Sequence, residues 1–141
     1  MGGVSVKKTK YRVWLLLTVL WTGLIFLQSA LPFDTSRTES SGLLAFVQIF
    51  LPWMSHNMLR KAAHFIEFCV LGVFMSTTFR YMRNYILIKP LFFTLAAALC
   101  DESIQLISPG RAAAVQDVWL DFSGAVFGAL IVWLIYKLRR K

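Results

Sequence analysis

Four apolar blocks, each about twenty residues long, leave this chain few folds to choose from. A helix rises about 1.5 Å per residue, so about 20 apolar residues cross a hydrocarbon core about 30 Å thick. The blocks fall at about 13–31, 59–79, 86–107 and 117–136, in a chain of 141 residues that is 57% hydrophobic and 15% aromatic. Backbone polar groups in lipid must be satisfied within the segment, and blocks of this length do so as helices. The expected fold is all-α: a polytopic integral membrane protein with four transmembrane helices in a compact bundle, a single domain over residues 1–141. No room remains for a second soluble domain.

The ends of the blocks are legible too. Lys7, Lys8, Lys10 and Arg12 precede the first. Basic followed by apolar is also the pattern of a cleaved leader. Its best cleavage site would put Gln28 and Ala30 at the positions that want small residues, a poor match, so an uncleaved first helix ending at Pro32 is expected. Pro90 falls in the first turns of the third helix, where proline is tolerated. The connection over 33–58 starts polar, with Asp34, Ser36, Arg37, Glu39 and Ser40, and turns apolar over 43–54. That second part is too short to span and contains Pro52. It is expected to be a partly apolar outer loop, lying at the membrane interface or packed as a flap on the bundle. Trp53 and His56 suit headgroup depth. Cys69 and Cys100 lie inside apolar blocks and are expected to be buried thiols without a disulfide framework.

A net charge of +8 resembles a nucleic-acid binder until the charges are placed along the chain. The N-terminus, the turn carrying Arg80, Arg83 and Lys89, and the tail with Lys137, Arg139, Arg140 and Lys141 hold eleven basic residues and no acid. The positive-inside rule makes these segments cytoplasmic, with both termini inside. All seven acids then fall toward the outer side, beside Arg37, Arg60, Lys61 and Arg111. Nucleic acid is not an expected partner.

The second block is the unusual one. Ionisable side chains inside a spanning helix are costly, and they face a protein interior or a water-filled cavity. In the stretch Leu59 to Gly72, Arg60, His64, Glu67 and Leu71 share one helical face. At about 1.5 Å per residue, His64 and Glu67 lie about 7 and 12 Å below Leu59, so the site is recessed. On the third helix, Asp101 and Glu102 both line up with Gln105. On the fourth, Asp117, Asp121, Gly124 and Gly128 share a face, and the two glycines form a small-xxx-small pair that lets helices approach closely. Three polar faces at one depth are expected to converge. Each residue also has a plainer role open to it. Asp117 can cap its helix, Arg60 and Lys61 can snorkel to the interface, and Arg111 can pair with an acid. Buried ion pairs are poor contributors to stability, which favours a functional cluster over a structural one.

These residues fall in a pattern. Lys61-Ala-Ala-His64-Phe-Ile-Glu67-Phe68 leads to Leu71-Gly72. Asp101-Glu102-Ser-Ile-Gln105 is followed by Pro109-Gly110-Arg111, Asp117, Asp121 and Gly124. With the serine-proline turn at Ser29 to Pro32, the pattern resembles the VanZ-like family over about 14–136. Asp121 stands where that pattern has asparagine, which could change the site's charge or ion preference. The resemblance implies a small bacterial inner-membrane protein of four helices. Its namesake is associated with antibiotic resistance, at a low level, to teicoplanin, a lipid-tailed glycopeptide.

Three functions fit. The favoured one is altered handling of cell-envelope lipids, a lipid-linked cell-wall precursor or lipoglycopeptides at the outer leaflet. There the ligand-binding residues are Arg60, Lys61, His64, Glu67, Asp101, Glu102, Gln105, Arg111, Asp117 and Asp121, and Arg60, Lys61 and Arg111 hold a phosphate or carboxylate. The second is a hydrolase or transferase on a lipid-linked substrate, with His64, Glu67, Asp101 and Glu102 as candidate catalytic residues. His64, Glu67, Asp101, Glu102, Asp117 and Asp121 form an oxygen-rich set that could alternatively hold Mg²⁺ or Ca²⁺, but the spacing fits no metal motif, so neither metal nor cofactor is expected. The third is an ion path, membrane scaffold or partner regulator. Four helices enclose little volume, so transport would need a homo-oligomer. The inner half offers only Ser76, Thr77, Thr78 and Thr94 as a polar path, and a one-sided site fits better.

Overall fold

A computed structural model of the chain describes residues 2–82, 87–111 and 114–139, with the side chains of 2–7, 33–37 and 39 left aside. Arg83, Arg140 and Lys141, and the side chains of Lys7, Asp34, Ser36, Arg37 and Glu39, lie outside the described residues. Among the described residues five helices follow one another: α1 (Gly2–Ala30), α2 (Phe33–Phe50), α3 (His56–Arg80), α4 (Ile88–Ile107) and α5 (Val115–Arg139). Lys8–Ala30 of α1 and the whole of α3, α4 and α5 are long and apolar enough to cross a membrane, as the block lengths require.

The expected loop between the first two spans is instead a helix. Prolines occur only at its borders, Pro32 and Pro52, and nothing between them breaks a helix. Pro32 is extended at φ −55°, ψ 149°, and starts α2 at once. Leu51, held before Pro52, leaves the helical region at φ −131°, ψ 77° and ends it. The polar first half obscured the pattern, because a span must be apolar throughout whereas a helix need not be. Leu44 is buried, while Leu43, Phe46, Ile49, Phe50 and Trp53 are exposed.

The other boundaries have local causes. Ser55 caps α3, its Oγ accepting from the Met58 N–H at 3.2 Å, which starts the helix at His56 rather than Leu59. Arg80 closes α3 and lies over the Tyr136 ring near the end of α5, 3.2 Å from its centroid. Between α4 and α5, the Arg111 N–H donates to the Ser108 carbonyl at 3.3 Å. Gly110 inside that turn has φ 74°, a conformation that favours glycine after Pro109.

Helices α3 and α5 share the largest interface of the bundle, and α1 and α4 pack against them. A β-carbon on Gly124 would collide with the Phe65 carbonyl, one on Gly128 with the Cys69 carbonyl, and one on Gly72 with the Ala125 carbonyl. The small-xxx-small pair of α5 thus meets α3 backbone to backbone, and Gly72 answers it from the opposite helix. Around this seam, Ile25, Phe68, Leu71, Ala97, Ala98, Val118 and Ala125 make the apolar core. Trp21 docks α1, its Nε1–H donating to the Glu67 carbonyl at 2.9 Å. Cys100 is exposed, against expectation, because α4 turns Ala97, Ala98, Asp101 and Glu102 inward and leaves Cys100 on its outer face; Cys69 is half-buried.

Gly128→Leu is expected to lower the unfolding temperature in detergent sharply, since overpacking typically costs about 1–3 kcal/mol even where side chains can move. Gly23→Leu, with nothing near its β-carbon, is expected to leave it within error. Thermal unfolding followed by tryptophan fluorescence makes the comparison.

Candidate functional site

The start of α3, the end of α4 and the start of α5 come together at one end of the bundle, with the end of α1 beside them. The other end carries Lys8, Lys10, Arg12, Arg80, Lys89, Lys137 and Arg139. Convergence of three polar faces is what the helical spacings imply, and the close α3–α5 seam brings it about.

At the centre, His64 Nδ1 lies 3.4 Å from Asp121 Oδ1 and 3.7 Å from Asp101 Oδ2. Both aspartates are 0% exposed. Gln105, a turn along α4, donates from Nε2 to Asp101 Oδ2 at 2.8 Å and reaches Ser29 Oγ on α1 at 3.5 Å. His64 Nδ1, Asp101 Oδ1 and both Asp121 oxygens have no hydrogen-bond partner.

Nearer the surface, Asp117 binds two cations of α3: Lys61 Nζ at 3.2 Å and Arg60 at 3.5 Å. Asp117 sits in the first turn of α5, and its carboxylate joins α5 to α3 rather than closing its own helix end. The capping role falls to Glu102, whose Oε1 accepts from the Ala114 N–H just before α5 begins. Arg60, Lys61, His64, Asp117 and Leu120 line a narrow recess.

Arg111 takes a different role from a ligand clamp. Its Nε–H donates to the Leu31 carbonyl at 3.0 Å and a terminal N–H to the Gln28 carbonyl at 2.9 Å. Those carbonyls belong to the end of α1, where helical partners run out. Burial chiefly, and the Arg60 guanidinium next, lower the Arg111 pKa, while Asp101, Glu67 and Glu102 pull it back up. A guanidinium keeps its proton in proteins, so Arg111 places a cation beside the acidic cluster.

Of the expected residues, His64, Asp101, Gln105 and Asp121 meet at the centre, and Arg60, Lys61 and Asp117 meet at the mouth. Glu102 and Arg111 act on helix ends. Glu67 is half-buried, and its backbone carbonyl accepts from Trp21. Sequence reasoning missed Ser29, whose carbonyl accepts from Ser108 Oγ at 2.9 Å, and Leu120 in the recess wall. Ser29 was visible only as part of a turn before Pro32; nothing in the spacing of α1 pointed it at α4.

A small multi-pass helical bundle with a buried histidine–carboxylate cluster at one end is the class that this fold and site define. The chain belongs to the VanZ/LLP1 family: that family's model matches residues 14–136, nearly its whole length. No curated protein and no solved structure matches it significantly.

Arg111→Ala is expected to free the α1–α2 junction, losing two charge-assisted hydrogen bonds worth about 1.5–3 kcal/mol each at most. Arg111→Lys should recover no more than one, because an ammonium lacks the guanidinium fork. Amide hydrogen exchange over 28–34 reads this directly, and unchanged protection in the alanine variant would contradict it.

Proposed function

We propose that this VanZ-family protein acts at the outer leaflet of a bacterial inner membrane, with both termini cytoplasmic. There it alters the handling of anionic lipids and of lipid-linked cell-wall precursors or lipid-tailed glycopeptides. The observation that carries the reading is the pair of cations, Arg60 and Lys61, at the mouth of the buried cluster. Both are partly open to the surroundings, at 25% and 42% side-chain exposure, and each uses one contact on Asp117. Further donors remain for a phosphate or carboxylate headgroup. The orientation rests on charge bias: the end away from the recess is basic and, among the described residues, without acids.

A membrane-embedded hydrolase or transferase is the second reading. It draws on His64 Nδ1 facing two buried carboxylates, an arrangement suited to holding and moving a proton. It requires a product from a lipid-linked substrate, and it fails if none is formed.

Arg60→Gln and Lys61→Gln are each expected to weaken binding to anionic-lipid vesicles about fivefold, from about 1 kcal/mol per cation near an anionic surface. Undiminished binding in the double variant would remove the headgroup role. In cells, the expected result is protection against teicoplanin but not against vancomycin, which lacks the lipid tail. That protection should be lost in His64→Ala and Glu102→Gln at equal membrane expression. Glutamine keeps an acceptor for Ala114, so a loss there reports charge and not helix capping. Protection indifferent to both substitutions would favour a scaffold or partner-regulating role.

A further inference from the structure

We propose that His64, Asp101 and Asp121 form a buried binding site for one divalent first-row metal ion, of the zinc or manganese kind, between α3, α4 and α5. One donor atom from each residue lies within 4.8 Å of the other two. Donors 2.0–2.1 Å from a tetrahedral ion are about 3.3 Å apart. His64 Nδ1 is 3.4 Å from Asp121 Oδ1 and 3.7 Å from Asp101 Oδ2, close to that spacing, and the donor oxygens of the two aspartates lie within 4.8 Å of one another.

The second, independent observation is the set of orphaned atoms. Asp121 is 0% exposed, yet neither of its oxygens has a hydrogen-bond partner; Asp101 Oδ1 and His64 Nδ1 are orphaned beside it. Native structures rarely leave such atoms unmatched without an ion or a water. Ionised carboxylates buried side by side are stabilised by a positive charge between them. Among the described residues, Arg60 and Lys61 bind Asp117, and Arg111 binds backbone carbonyls, so none of these cations pairs with Asp101 or Asp121. A protonated His64 would supply one charge against two. A divalent ion balances both.

Gln105 adds the outer support that metal-ligating carboxylates have, donating to Asp101 Oδ2 at 2.8 Å. The donor set chooses the metal. An imidazole nitrogen with two carboxylates suits zinc or manganese, whereas Ca²⁺ takes six to eight oxygens, far more than this triad supplies. Three protein donors leave a coordination position open, and His64 also lines the recess from which a fourth ligand would enter.

The expectation of a metal-free protein rested on sequence spacing, which cannot see donors on three separate helices. The inference does not need the lipid reading, because ion uptake is measured on the protein alone. The full chain is purified in detergent, stripped with chelator, incubated with Zn²⁺ or Mn²⁺, desalted and analysed for metal, with thermal unfolding in parallel. About one ion per chain is expected for one of the two metals, together with a raised unfolding temperature. Asp121→Asn, nearly isosteric, should lower affinity at least about tenfold. Glu102→Gln, outside the triad, should keep it. His64→Gln, at a side chain 14% exposed, repeats the test if the Asp121 variant does not fold. Wild-type protein that takes up neither metal, or triad variants that hold it as wild type does, would overturn the proposal.

Discussion

Everything at the polar end depends on α3 and α5 meeting backbone to backbone. Gly124 and Gly128 have no side chain to hold the Phe65 and Cys69 carbonyls away, and Gly72 makes the same concession from α3. In a membrane, where lipid tails are as apolar as leucine, such close packing is a main source of helix association. The seam also sets register. Phe65 follows His64, and Gly124 lies one turn from Asp121, so seating Gly124 on Phe65 carries Asp121 to within 3.4 Å of His64. Packing and site are one arrangement.

The polar groups around that arrangement divide into two kinds. Several close the backbone of the bundle: Glu102 starts α5, Arg111 ends α1, and Ser108 and Gln105 tie α4 to Ser29. They act where helices run out of internal partners, and low-dielectric surroundings make each unmatched group expensive. The central triad is the opposite. Its two aspartates are fully buried, and His64 Nδ1, Asp101 Oδ1 and both Asp121 oxygens have no hydrogen-bond partner. Where stability alone were at stake, apolar residues would fill that space as well or better.

Much of this was legible before any coordinates. Block length identified the four spans, charge separated the two ends, and i, i+4 spacing put Asp101 with Gln105 and Asp117 with Asp121 on shared faces. The misses have physical reasons. α2 hides in the sequence because half of it is too polar to span, although only Pro32 and Pro52 oppose a helix there. Cys100 is exposed although it lies in an apolar block, because such a block in a membrane protein faces lipid as readily as protein. The bonds from Arg111 to the Leu31 and Gln28 carbonyls were out of view because those acceptors lie some eighty residues earlier in the chain.

The sequence by itself determined the number of spans, the basic and acidic ends, and the residue types available at the polar end. These follow from helical rise, hydration cost and charge, which act locally along the chain. Tertiary structure alone decided which acids share His64, which one caps a helix and which cation becomes a staple. Those roles depend on distances between helices, and a few ångströms set by three glycines separate an ion site from a set of unrelated carboxylates.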